Sequence, residues 1–190
     1  MHERTNAVGY LNNQVGNGAL GASRTERRLA AMQTLLRFSL ASRHIWQKSE
    51  LFHEAGRTSM QMTGAQTGYL YFRQRASVTS ERLGESVYYR LDQIFNGGQH
   101  EMEAQIEPLP QSLIEALAVR QTITSQANNC YLVVPIHRDG KMMALLVLAH
   151  RDSSHFDEID MDLMGDLVRQ LDAALQNEYV ITARTAQVEL

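Results

Sequence analysis

The run Tyr131-Leu132-Val133-Val134-Pro135-Ile136-His137-Arg138-Asp139-Gly140-Lys141-Met142-Met143-Ala144-Leu145-Leu146-Val147-Leu148-Ala149 decides how this chain is read. Two apolar stretches, 131–136 and 142–149, flank Asp139-Gly140. Asp-Gly between such runs signals a tight hairpin, because glycine takes the positive φ that the turn needs. Neither stretch alternates with polar residues. Strands apolar on both faces sit centrally in a sheet covered by helices, since each face needs its own apolar cover.

Downstream, Asp157 is placed to cap a helix in which Ile159, Leu163, Leu167, Leu171 and Leu175 recur every four residues. Running to Leu190 it would span roughly 50 Å at ~1.5 Å per residue. A ten-residue strand spans only ~33 Å. The helix is therefore expected to overhang the core, carrying Tyr179, Val180, Ile181 and Val188 with no Gly or Pro stop. An amphipathic overhang is weak alone. Pairing with a second subunit is the expectation, and 181–190 read as the end of a signalling helix leading to an output domain.

Upstream, residues 1–22 hold Gly9, Gly16, Gly18 and Gly21 without sustained periodicity and read as a flexible tail. Ser23 or Thr25 caps a helix expected to reach about Lys48. Leu29, Met32, Leu36 and Leu40 form one stripe on it, and Leu35, Phe38 and Ile45 a second beside it. So wide an arc suggests two partners, the domain's own core and another chain. A second helix runs from Ser49-Glu50 to near Gly64, and Gly68-Tyr69-Leu70-Tyr71-Phe72 is strand-like. Residues 86–95 fit helix or strand. The period-two alternation of Met102, Ala104 and Ile106 with Glu101, Glu103, Gln105 and Glu107, and the intervening Asn96-Gly97, favour a hairpin. Pro110 opens a short helix over 111–120, and 121–125 read as a short strand.

Composition bounds the function. The 190 residues carry 18 Lys+Arg and 21 Asp+Glu, a net charge of −3, which argues against nucleic-acid binding through a basic face. Hydrophobic residues at 44% suffice for a core. The single cysteine excludes an internal disulfide and a Cys-only zinc site. No apolar run approaches the ~20 residues of a membrane span, and the first residues lack the apolar stretch of a secretory signal. A cytoplasmic location is the expectation.

The order of elements resembles a GAF domain over about residues 25–180. The resemblance rests on Val134-Pro135-Ile136, Asp139-Gly140 and Ala144-Leu145-Leu146-Val147-Leu148 as the family's final hairpin. Phe156, Asp160, Leu163 and Ala173-Ala174-Leu175-Gln176-Asn177 resemble its closing helix. The family commonly has Gly where this chain has Ala144. The resemblance implies an α+β, GAF/PAS-like fold: a mixed, mostly antiparallel sheet of about six strands flanked by helices, with long N- and C-terminal helices. The GAF domain with its N-terminal helix would occupy 23–180. It further implies a homodimer through those helices, for which Leu29, Met32, Leu36, Leu40, Leu171, Leu175 and Tyr179 are the candidates, and a small-molecule pocket between the sheet and a helical flap. Tyr69, Tyr71, Tyr89, Arg90 and Tyr131 are the candidate ligand-binding residues. No cofactor is selected.

Other motifs carry weaker chemistry. Gly16-Asn17-Gly18-Ala19-Leu20-Gly21 spells G-x-G-x-x-G, but a dinucleotide site needs it between a strand and a helix of a parallel unit. His137-Arg138-Asp139-Gly140 imitates a kinase catalytic loop without its downstream Asn, and the hairpin turn explains it. Phe156-Asp157-Glu158 matches the end of the Asn-Lys-Phe-Asp-Glu motif of cyclic-nucleotide GAF domains, but Ser154 and His155 replace its start. An aromatic plug and a helix cap account for those three residues. Cys130 reads as a core-edge thiol, and none of the seven histidines has metal-ligand spacing. The expected function is a sensory or regulatory domain of a signal-transduction protein such as a histidine kinase or diguanylate cyclase, without catalysis of its own. The alternatives are a ligand-free structural dimerisation module and, below it, a GAF-fold redox enzyme such as a free methionine sulfoxide reductase.

Overall fold

A computed structural model of the chain describes residues 6–45, 47–75, 87–96, 106–138 and 140–188, with side chains described between 24 and 176 except at 75 and 87. Helix α1 (Asn6–Ala41) leads through a 3-10 turn (Ser42–His44) into α2 (Lys48–Thr63). Strands β1 (Thr67–Arg75) and β2 (Val87–Asn96) follow, then α3 (Gln111–Leu117), β3 (Thr122–Gln126), β4 (Asn129–Arg138), β5 (Lys141–His150) and α4 (Glu158–Val188). The strands lie in the order β2-β1-β5-β4-β3, and every described pairing is antiparallel.

The hairpin that decided the reading is present. Tyr131 pairs with Ala149 and Ile136 with Ala144, and Gly140 has φ +72° in the turn. β5 is the middle strand and β4 lies beside it. Pro135, which cannot donate to a ladder, is tolerated because the β3 pairing of β4 ends at Val133. Alternation then splits the sheet into two faces. Leu70, Leu132, Val134, Ile136, Leu146 and Leu148 point to α1, α2 and α4 and form the larger core with Phe38, Phe52, Leu163, Met164 and Leu167. Tyr69, Tyr71, Tyr131, Val133, Leu145 and Val147 point the other way, beneath Ile106, Leu109, Ile114 and Ala118. That second cover, residues 106–118, is the flap.

Several local readings change. Five strands are described rather than about six, and none of the described pairings is parallel. The Asn96-Gly97 turn and most of the strand expected over 101–107 lie outside the described residues, while Ile106 and Glu107 are already irregular. The first helix starts at Asn6, so most of the expected tail is helical. Once a helix is nucleated, each added residue gains a backbone hydrogen bond, and isolated glycines weaken it by only ~1 kcal/mol each. It ends at Ala41 rather than near Lys48. The G-x-G-x-x-G run thus falls inside α1, without the preceding strand that phosphate binding requires.

α1 shows two faces. Ala31 and Phe38 enter the core, while Leu29, Met32, Leu36 and Leu40 stay exposed on the opposite side. The stripe expected to meet another chain is therefore free in the monomer. Leu171 and Leu175 are different. They are 1% and 0% exposed within the chain's own core, so they are corrected here from interface to core residues. A four-residue repeat identifies a buried face but not what buries it. The side chain of Tyr179 lies outside the described residues.

Candidate functional site

The flap face gathers four of the five candidate ligand residues. Tyr69 and Tyr71 are two apart on β1 and share a face, Tyr131 comes from β4, and Tyr89 comes from β2. A bulge at Asp92, where Leu70 pairs with Gln93 but Tyr71 with Leu91, resets the alternation of β2. It places Tyr89, Leu91 and Ile94 on this side of the sheet. Arg90 is the exception. Adjacent to Tyr89, it points to the helix face, 60% exposed, with Nη2 3.5 Å from Asp92 Oδ1. The structure does not bring it to the tyrosines.

The hydroxyls fix the flap. Tyr69 donates to the carbonyl of Ile106, and Tyr131 donates to the carbonyl of Glu107 at 3.1 Å. Two strands separated by β5 thus hold successive peptides at the point where the flap begins. Tyr89 Oη lies 3.8 Å from Met142 Sδ, a weak contact. Tyr71 is 3% exposed, and its hydroxyl has no hydrogen-bond partner among the described residues. A buried hydroxyl without a partner costs about 1–3 kcal/mol. Burial raises all four phenol pKa values. Tyr71 is pushed up to about 12, with Tyr131 adding to the rise, and Tyr69 goes higher still. All four are neutral donors at physiological pH.

Beside Tyr131 a cleft of about 320 Å³ opens between the start of the flap and the β3–β4 turn, walled by Ile106, Glu107, Gln126, Asn129, Tyr131 and Arg151. Gln126 Oε1 is buried there with no hydrogen-bond partner among the described residues. Ala127 and Asn128 make the turn with φ of +49° and +65°, the two positive values of a type I′ hairpin. Sequence reasoning missed Gln126 and Arg151. Ala127-Asn128 lacks the glycine that advertises such a turn, and only Asn128-Asn129 hinted at it.

Beyond the same end of β5, the Phe156-Asp157-Glu158 run does structural work. Phe156 is buried, and Asp157 Oδ1 accepts from the N–H groups of Ile159 (2.9 Å) and Asp160 (3.2 Å). Asp160 Oδ2 accepts in return from Asp157 N–H at 3.0 Å, which completes a reciprocal cap. His155 Nε2 lies 2.7 Å from the Thr63 carbonyl at the end of α2, and its ring stacks on His150 at 3.6 Å. Cys130 is buried at the start of β4.

With the fold and this face described, the class is fixed. Residues 48–175 match the family model described as GAF domain, and the chain belongs to that family. Among solved structures it is similar to a GAF domain from Pseudomonas syringae pv. tomato assigned to a sensor histidine kinase. Identity there is 16%, over 88% of this chain and 99% of that one, with a TM-score of 0.55. The free methionine-R-sulfoxide reductase from Neisseria meningitidis, solved with its substrate, is 12% identical over 81% of this chain and 93% of that one (TM-score 0.57). The phycoerythrobilin-bound GAF domain of a cyanobacterial phytochrome is 14% identical over 80% and 97% (TM-score 0.56). At such identities the likeness is one of fold. Among curated proteins, none matches the chain.

Proposed function

We propose that this GAF domain is a sensory module of a signal-transduction protein, such as a histidine kinase or diguanylate cyclase. It binds a small ligand under the flap and relays the change through paired helices. The carrying observation is the tyrosine face: two hydroxyls latch the flap while a third, equally buried, has no partner among the described residues. A ligand that favours one flap position shifts the population of domain geometries. Pairing of two copies through Leu29, Met32, Leu36 and Leu40 fits the reading. This stripe, opposite the core-facing Ala31 and Phe38, is apolar and exposed on both copies, as a twofold interface requires. Any catalysis belongs to an output domain, and the location is cytoplasmic. No described helix is long and apolar enough to cross a membrane.

Native mass spectrometry and a thermal-shift screen of small metabolites test the proposal. A dimer stabilised by one chemical class of compound is expected. A monomer that no compound stabilises overturns it. The second reading, a ligand-free dimerisation module, is favoured by the way the tyrosines fill their own face. It predicts a dimer with no stabilising compound.

A further inference from the structure

We infer that the flap face takes a compact, uncharged molecule carrying a hydrogen-bond acceptor, such as a carbonyl, ether or ring nitrogen, and that the Tyr71 hydroxyl donates to that acceptor. This rests on the sensory reading above and names the class of ligand it requires.

Three observations lead there. Tyr71 is almost wholly buried with an O–H that nothing described accepts, although Tyr69 and Tyr131, on the same face, are both engaged. A donor left over where its neighbours are satisfied marks the place where an acceptor from outside belongs. Second, the residues that share this interior are apolar: Val133, Leu145, Val147 and Ile114. They offer no ionic partner. The charged groups of this side, Arg73 paired with Tyr89, and Glu107 and Arg151 at the cleft, lie outside that apolar set, so a carboxylate or ammonium brought beside Tyr71 would lose its hydration with phenol dipoles in return, and charge is disfavoured there. Third, the way in is limited. The cleft of about 320 Å³ is lined by Tyr131 and not by Tyr71, so Tyr131, which shares the face with Tyr71, stands between the opening and the unpartnered hydroxyl. That volume is at the small end of ligand sites. Entry loosens the Tyr131 bond to the Glu107 carbonyl, so occupancy is coupled to the start of the flap.

The phenol stays protonated throughout the physiological range, since burial holds Tyr71 up at about 12. The preference for an acceptor is therefore independent of pH there. The walls contribute affinity without direction, and the single hydroxyl contributes the selection.

The test compares matched fragments on the full chain: acetophenone as a neutral acceptor, ethylbenzene as a similar hydrocarbon, benzoate and benzylammonium as charged counterparts. Binding is followed through the ring signals of labelled tyrosines by NMR. Acetophenone is expected to bind about tenfold tighter than ethylbenzene, equivalent to about 1.4 kcal/mol, and both charged fragments more weakly than either. Tyr71→Phe keeps the ring and removes the O–H. It is expected to abolish the tenfold preference while leaving ethylbenzene binding and the melting temperature unchanged or raised.

Equal binding of acetophenone and ethylbenzene overturns the inference, as does a preference that survives Tyr71→Phe or a stronger response to benzoate. In each of those cases the face still binds small molecules and the sensory reading stands. If no fragment perturbs Tyr69, Tyr71 or Tyr131 at all, the ligand-site reading falls with the inference. A loss of stability in Tyr71→Phe without any fragment also overturns it, because the hydroxyl then has an internal partner.

Discussion

Arg27 on α1 grips Asp160 on α4 across 133 positions of sequence, and the Asp160 side chain it holds is wholly buried. The same guanidinium reaches Asp157 Oδ2 at 3.2 Å, so both carboxylates of the α4 cap answer to α1. Burial raises the pKa of Asp160 despite the opposing pull of the Asp157 N–H and of Arg27. The pair therefore does not fully offset its desolvation.

Arg27→Ala is expected to cost about 3 kcal/mol at neutral pH, because it leaves a buried carboxylate with the Asp157 N–H alone. The sign of the pH dependence follows from the raised pKa. The folded state holds a proton on Asp160 more tightly than the unfolded chain, so this group's contribution falls as pH rises above 3.8. The loss in Arg27→Ala should shrink in mild acid, where Asp160 takes up its proton. Urea denaturation at both pH values checks this, and an equal loss at both contradicts it.

The tyrosine face predicts an alkaline transition. Buried phenols with raised pKa values stabilise the fold fully below the ordinary value of 10.0, and that contribution is lost as pH rises towards about 12 for Tyr71. Tyrosinate absorbance, read beside a probe of the fold, follows this. The buried group should ionise together with unfolding. Smooth ionisation of Tyr69 and Tyr71 near 10, with the fold intact, would contradict the burial described here.

Leu29 and Leu36 are 58% and 61% exposed, so Leu29→Glu with Leu36→Glu should change monomer stability by no more than about 0.5 kcal/mol each. If the stripe joins two copies, the double variant is monomeric by light scattering under conditions where the native chain is dimeric. A dimer that survives both charges places the interface elsewhere.

Gly56 lies mid-helix in α2, where alanine ordinarily gains about 1 kcal/mol. Here a Cβ would fall 2.2 Å from the buried Phe95 ring. Overpacking of this kind costs about 1–3 kcal/mol. Gly56→Ala should therefore lower the melting temperature, and Gly56→Ala with Phe95→Leu should recover part of the loss. A more stable single variant would mean that Phe95 moves freely.

Much of the helix face was legible because its signals are local. Asp139-Gly140 set a turn, Asp157 a cap, and the four-residue repeat from Ile159 to Leu175 a buried face. The same repeat could not say that Leu171 and Leu175 meet their own sheet rather than a partner, since period reports a face and not its neighbour. On the flap face, residue type pointed to the tyrosines but parity did not. The bulge at Asp92 shifts β2 by one residue, and Arg90 was grouped with Tyr89 although neighbours on a strand face opposite ways. Gln126 and Arg151 stayed invisible because a turn and a strand end, 25 positions apart, meet only in the folded chain.

Helix α4 is anchored over its first half, where Arg27 holds Asp160 and Leu163 to Leu175 are sunk in the core, and it continues to Val188. At ~1.5 Å per residue, Val188 lies about 20 Å along the axis beyond Leu175, the last of these core residues. A tilt of about 5° there would sweep the far end sideways by roughly 2 Å at that length. If α4 relays a signal as proposed, it would act as a mechanical amplifier whose stroke is set by its length and whose phase is set by residue count. Inserting four residues near its end would then nearly preserve the direction of output, whereas inserting two would turn it by about 200°.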